Sequence, residues 1–229
     1  MTLQQFQDIL HSLYQGDTDT PASTDTAWTH RLNLLKAAIG AWNAEKGILW
    51  NELFVMLSDA SDGDKTAVAL TLEYDCPTDF RSPGGFVRTY ASGGTSTYWT
   101  VTSPQKAELI QGQALNVCFF TGNAKSGYTL HFVSQPTAGH TIEYPYYKTP
   151  FEPSTAANVI EMSDPYFAVY FVLSKLHEID GEGDRAIKAF NEAAARLSSM
   201  RTANEMPAWF QDNNTEDRDW ATGSGGFGE

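Results

Sequence analysis

Basic charge is what this chain has least of. Among 229 residues it carries 15 Lys and Arg against 28 Asp and Glu, a formal net charge of −13. The basic residues are scattered, with no stretch that interleaves them with aromatics. This argues against phosphate-driven binding to DNA, which needs clustered Lys and Arg. Acidity remains compatible with DNA passing close by, because a surface that repels phosphate does not hold it. Cysteine is nearly absent too. Cys76 and Cys118 stand alone, which excludes a disulfide scaffold and fits packing roles in a reducing cytosol. No apolar run reaches the roughly 18–20 residues of a membrane helix. The longest, Tyr166 to Leu173, is less than half of that. The segment Met1 to Gln7 has neither the basic nor the apolar region of a secretory leader. With 41% apolar and 13% aromatic residues, the chain nevertheless has enough to bury a sizeable core.

What is present falls into three parts. In the first, Leu3, Phe6, Ile9, Leu10, Leu13 and Tyr14 recur at the spacing of one helix face. Thr2 and Gln5 are placed as a capping box, and Gly16 is a stop. After a polar loop over 17–24, a second helix is predicted from about Trp28 to Lys46. Its apolar face is Leu32, Leu35, Ala38, Ile39 and Trp42, with Asp25 or Thr26 as cap and Gly47 as stop.

The middle part switches to a period of two. Val68, Leu70, Leu72 and Tyr74 alternate with small or polar residues, as do Leu115, Val117 and Phe119, and Tyr128, Leu130 and Phe132. Turn dipeptides such as Asp62-Gly63, Gly84-Gly85, Gly93-Gly94 and Gly122-Asn123 separate them. About six strands without a long intervening helix imply a small antiparallel sheet, sandwich or barrel. Residues 104–110 read either as a helical turn begun by Pro104 or as an edge strand.

The third part is helical again. Ser163-Asp164-Pro165 combines a cap with a helix-starting proline. Tyr166 to His177 is apolar almost all round and predicts burial on most sides. After the break at residues 180–184, a last helix places Ala186, Ile187, Phe190, Ala193, Ala194 and Leu197 on one face, making a helical hairpin. The fold class is thus α+β: a discontinuous helical domain (1–47 and 163–203), an inserted antiparallel β domain (48–162) and an acidic C-terminal arm (204–229). The arm holds six acids and one base, yet carries Trp209, Phe210, Trp220 and Phe227. Aromatics on a segment of disordered composition point to docking on a partner.

Catalytic and metal motifs are missing. Asp59-Ala60-Ser61-Asp62-Gly63-Asp64 has a calcium-loop flavour, but the closing twelfth position would be Leu70, which cannot coordinate, so the segment reads as a polar turn. The five histidines (His11, His30, His131, His140, His177) are dispersed, and only His131 and His140 could approach across neighbouring strands. There is no nucleophile elbow, and no glycine stretch carries the lysine of a phosphate loop. No enzyme activity, cofactor or metal is expected.

Two segments carry a family likeness: Trp28 to Trp42 followed by Trp50 to Phe54, and Ser163 to Leu173 with Gly181, Gly183, Asp184, Ala186 and the alanine-rich helix after them. Together, and in the order helix pair, β insertion, helix hairpin, arm, they resemble the head-to-tail adaptor (connector) proteins of tailed phages, of the gatekeeper or tail tubular protein A type. The resemblance implies a structural virion protein at the neck, made in the host cytoplasm. Such a protein forms a ring homo-oligomer, twelve-fold, that docks under the portal protein, lines the DNA channel and receives the tail nozzle, stopper or tube protein. Genomic DNA passes through without specific binding, and no membrane is involved. On this reading Trp209, Phe210, Trp220 and Phe227 anchor the arm in the portal. Leu35, Ile39, Trp42, Phe171, Phe190 and Leu197 build the helical core and ring. The acids Asp180, Glu182, Asp184, Asp59, Asp62 and Asp64 are the channel-lining candidates. The alternatives are another tail or neck component (a tail terminator or fibre-attachment module), or a β-rich enzyme or carbohydrate-binding module using Trp99, Tyr146 and Tyr147 as a stacking platform.

Overall fold

A computed structural model describes residues 1–59, 65–110 and 115–204. It is an α+β structure whose helices flank a β region in the sequence. In chain order the helices are α1 (Leu3–Gln15), α2 (Thr26–Asn43), α3 (Pro104–Leu109), α4 (Tyr166–Ile179) and α5 (Gly183–Asn204). The strands are β1 (Phe54–Met56), β2 (Lys65–Thr66), β3 (Glu73–Asp75), β4 (Phe80–Pro83), β5 (Phe86–Tyr90), β6 (Ser96–Val101), β7 (Val117–Asn123), β8 (Gly127–Phe132), β9 (Thr141–Glu143) and β10 (Pro145–Lys148). The described residues divide into two compact units, one made of 1–44 with 153–204, the other of those within 45–152.

In the helical unit, local chemistry sets the ends of the elements. At the start of α1 the Thr2 amide donates to Gln5 Oε1 (2.9 Å) and the Gln5 amide to Thr2 Oγ1 (3.2 Å), a closed capping box. Gly16, at φ 79°, ends the helix in the left-handed conformation. Helix α2 stops at Asn43, short of the predicted Lys46, and Gly47 instead makes a later left-handed turn. Helix α4 is the centre of the unit and packs against α1, α2 and α5. Eight of its residues are buried, from Phe167 to His177. Residues 158–160 run beside the first residues of the chain, with the Leu3 amide donating to Asn158 O (2.8 Å) and the Ile160 amide to Met1 O (3.0 Å).

Helix α5 differs from expectation. Its buried residues are Ala189, Ala193 and Met200, whereas Ile187 is 61% and Phe190 54% exposed. The helix is turned by about 100°, one residue, from the face its bulky side chains suggest. The reason is steric. Helix α4 already presents large side chains, so the alanines of α5 let the two backbones approach, and the bulky stripe is left outside.

The β unit holds a three-stranded sheet, β1-β10-β4, and a seven-stranded one, β2-β9-β5-β6-β7-β8-β3. The pairs are antiparallel except β6 with β7. A parallel pair needs a crossover, and α3 lies within it. Pro104 opens α3, and Ser103 Oγ accepts from the Lys106 amide (3.3 Å), so residues 104–109 are helix and not edge strand. Two alternations are read differently by the structure. In β7 the buried residue is Cys118, while Leu115 is exposed, the opposite phase to that expected. The Val68–Leu72 run is not a strand: Val68, Leu70 and Leu72 are exposed, and only Tyr74, in the short β3, points inward. Ten strands appear among the described residues, against about six expected, because several are only two to four residues long.

An aromatic cluster fills the β core. The Phe80 ring stacks on Phe120 (5.1 Å between centroids) and Tyr146 (5.6 Å), and Trp99 meets Phe132 edge-on (4.6 Å). Cys76 and Cys118 are buried in the same core as free thiols. Burial pushes the Cys76 thiol up to about 11 and the Cys118 thiol up to about 12.

Two predictions follow from this core. In the unfolded chain the thiols ionise near pH 9, but in the fold they stay protonated until about 11 and 12. Above pH 9 the unfolded state therefore binds fewer protons. Stability should be intact below that pH and fall on further titration by about 1.4 kcal/mol per pH unit per thiol, as measured by urea denaturation between pH 8 and 11. The second concerns Gly122, at φ 113° opposite Tyr128, where an added Cβ would lie 2.2 Å from Gly127 O. Gly122→Ala should cost roughly 2–4 kcal/mol, measured by the same denaturation at neutral pH.

Candidate functional site

Several of the residues that could carry chemistry, among them His11, His131 and His177, are engaged in holding the fold. Among the described residues no group of three or more His, Cys, Asp or Glu is placed to hold a metal ion. His131, in β8, stacks on Phe119 (4.8 Å, 6° between planes), lies 2.6 Å through Nε2 from Thr121 Oγ1 and faces Glu73 Oε1 at 3.3 Å through Nδ1. These contacts tie β3, β8 and β7 side by side. His140, ahead of β9, does not approach His131, because β5, β6 and β7 lie between their strands. Sequence alone could not separate these cases, since both histidines sit in similar turn-and-strand surroundings. The sugar-stacking platform is also overturned: Trp99 is 4% exposed and Tyr146 is fully buried, and Tyr146 OH donates to Asp79 Oδ1 (2.9 Å). Both rings belong to the core.

Three of the acids named as channel candidates, Asp180, Glu182 and Asp184, have defined places in the helical unit. Asp180 caps the end of α4 and accepts a hydrogen bond from Tyr14 OH across to α1. That bond, with the carboxylate's charge, pushes the Tyr14 phenol up to about 12. Glu182 Oε2 lies 2.7 Å from His177 Nδ1, and Arg185 Nη1 donates to both oxygens of Glu182 (3.0 and 3.1 Å). Asp184 sits exposed in the first turn of α5. Asp59 lies in a short 3-10 turn at Leu57–Asp59, and Asp62 and Asp64 lie outside the described residues. A second polar group closes the hairpin's other side. Arg196 donates to Asp164 Oδ2 (2.9 Å), pairs with Glu192 (3.1 Å) and lies over the rings of Tyr166 and Tyr170. Its guanidinium is held above the usual range by Asp164, against the opposing effect of burial.

Of the residues assigned to the helical core and ring, Leu35 and Trp42 are fully buried and Ile39 is 3% exposed. Phe171 and Leu197 are half-buried. Phe190 is not core. It is an exposed ring that, with Ala186, Ile187, Gly181 and Gly183, lines an apolar groove of about 430 Å³ between α4 and α5. Ile179, 64% exposed at the end of α4, adds a further exposed apolar side chain. Sequence reasoning named Phe190 and Ile187 but placed them inside. The signal for the outward face was the spacing Ala189-Ala193, which marks where a helix can approach closely. The arm residues Trp209, Phe210, Trp220 and Phe227 lie outside the described residues.

Exposure decides what each phenylalanine contributes to stability. Phe190→Ala should change it by no more than about 0.5 kcal/mol. Phe167→Ala, at 3% exposure in α4, should cost about 3–5 kcal/mol. Paired denaturant titrations of the two variants check the difference.

No helix among the described residues is long and apolar enough to cross a membrane. No curated protein matches the chain. The family model of the SU10 adaptor protein does match it, over residues 1–218, which takes in all the described helices and both sheets. With its helical elements drawn from both ends of the sequence and a β region inserted between them in the chain, the protein thus belongs to the SU10 adaptor protein family, a family of phage adaptor proteins.

Proposed function

We propose that the chain is a gatekeeper-type head-to-tail adaptor that forms a ring beneath the portal, lines the channel through which the genome passes, and offers its far face to the tail nozzle, stopper or tube. Family membership supports a structural virion role. The observation that carries the finer reading is the apolar stripe of α5. A helix that turns Ile187 and Phe190 to solvent while burying alanines leaves surface that a monomer has no use for. Repeated copies meeting through such surfaces close into a ring when the rotation between them permits. The twelve-fold count, the neck location and the partners belong to this reading.

The arm supplies the portal anchor in this account. Ordering a segment of its composition costs roughly 1–2 kcal/mol per residue in backbone entropy, which buried Trp and Phe are the side chains best able to offset. The acids around Trp209, Phe210 and Trp220 would meet basic patches on the portal, making attachment salt-sensitive. The channel face is net acidic on the same reading, built from Asp180, Glu182 and Asp184 of the α4–α5 turn or from Asp59, Asp62 and Asp64, so that DNA slides without sticking.

Truncation after Ala203 separates these roles. The shortened chain should keep the denaturation midpoint of the full chain and fail to join heads to tails in an assembly reaction followed by electron microscopy. Normal joining by a folded, truncated chain would remove the arm from the account.

A further inference from the structure

The α4–α5 groove is an apolar trough in an acidic neighbourhood. Glycines 181 and 183 and Ala186 leave it open, and Ile187 and Phe190 stand exposed in its lining. Its lysine, Lys175, is already paired with Glu178 (2.8 Å). His177 and Arg185 hold Glu182, Tyr14 holds Asp180, and Asp184 follows in the first turn of α5. An acidic segment would meet like charge here, and a basic one would find most of the carboxylates engaged. The occupant that suits the groove is therefore apolar and uncharged.

The chain contains a segment of that character. Helix α5 ends at Asn204, and the longest uncharged tract beyond it is Trp220 to Gly228, which carries a tryptophan and a phenylalanine. Length decides which aromatic reaches the groove. At about 1.5 Å of rise per residue, Ile187 lies about 26 Å back along α5 from Asn204. Trp209 and Phe210 are five and six residues beyond Asn204. Fully extended, at about 3.3–3.6 Å per residue, they reach roughly 17–22 Å and stop short. Trp220, sixteen residues beyond, has contour to spare. A flexible spacer of that length has a mean span of about 20–24 Å. A tether gives its highest effective concentration when its mean span matches the distance to be bridged. Phe227 also reaches, but it sits between Gly226 and Gly228, whose ordering costs more, and tryptophan is the stronger anchor.

We propose that in the free subunit Trp220 occupies the α4–α5 groove of its own chain, covers Ile187 and Phe190, and leaves when the arm engages the portal. This rests on the reading above, in which the α5 stripe joins copies and the arm binds the portal, and it adds an order of events. The stripe is uncovered only where the portal has taken the arm, so rings form on the portal and not in solution. Trp209 and Phe210, which fall short of the groove, remain available for first contact with the portal. A cover that must give way is weak of necessity. Two docked arms for each free one correspond to about 0.6 kcal/mol, too little to move a denaturation midpoint appreciably, so the contact itself is what must be measured.

The test uses the full-length chain with Lys188→Cys and Ala221→Cys, which leave Trp220, Ile187 and Phe190 in place. Lys188 is exposed on α5, and the native Cys76 and Cys118 are buried. Under mild oxidation the pair should close an intramolecular disulfide, seen as a faster-migrating monomer on a non-reducing gel. Adding Trp220→Ala, or Phe190→Asp at its exposed position, should slow closure at least fivefold. Lys188→Cys with Ala208→Cys, four residues past Asn204, should not close within one chain. Closure at an unchanged rate in Trp220→Ala is what a tether alone would give and overturns the proposal. A disulfide found only between chains overturns it too, since the occupant is then a neighbour's arm. Sedimentation separates this contact from the ring reading. Trp220→Ala should self-associate about threefold more tightly than wild type, and measurable association that is equal in the two chains overturns the cover. A Trp220→Ala chain that stays monomeric, while closure of the disulfide still depends on Trp220, supports the cover and counts against joining through the stripe.

Discussion

Helix α4 cannot be left in water. Phe167, Ala168, Val169, Val172, Leu173 and Leu176 point in several directions around it, so it must be enclosed rather than laid on a surface. The helical unit is the solution to that constraint. Helices α1 and α2 come from one end of the sequence and α5 from the other, and all three pack on α4. A β unit can be inserted between them because the helical core is completed only when both ends of the chain return to it. The segment 158–160, bonded along the first residues of the chain, helps bring them back together.

Polar contacts then fix what apolar burial leaves loose. Burial alone does not set the rotation of a helix about its axis or the angle of a turn. At one end of the bundle, Tyr14 holds Asp180, and His177 and Arg185 hold Glu182, so the short α4–α5 turn is tied to both helices and to α1. Along the hairpin, Arg196 bridges Asp164 and Glu192 over two tyrosine rings. These carboxylates make close contacts inside the subunit, and an acidic surface built from them keeps its geometry because of those contacts. The exposed pairs among them add little stability individually, and their consequence is orientation.

The β unit makes the complementary choice. Its strands are too short to hold by ladder bonds alone, and stacked rings around Phe80 and Trp99 join the strands of both sheets into one core. That frees turns at the rim to take conformations that packing would not select, of which the Leu70 turn is the clearest. The two units therefore carry different surfaces: an outward stripe on a rigid helix, and an apolar tip on a braced turn.

Sequence by itself determined the elements whose signals are local. The Thr2–Gln5 box, Gly16, the Ser163-Asp164-Pro165 start and the all-round apolar character of α4 were legible because each depends on residues within a turn or two of one another. The same holds for the β8 alternation of Leu130 and Phe132, and for the broad α+β order that the adaptor family shares. Tertiary structure decided the rest. Which face of α5 turns inward depended on the bulk already present on α4, so Ala189 and Ala193 went in and Phe190 came out. Whether Val68, Leu70 and Leu72 formed a strand depended on a neighbouring edge to pair with, and Tyr74 and Gln135 made a turn of them instead. Whether Trp99 and Tyr146 were platform or core depended on the sheet they faced. Alternation and helical spacing report that a segment has two sides, but which side is buried is fixed by a partner distant in sequence, and local pattern carries no information about that partner.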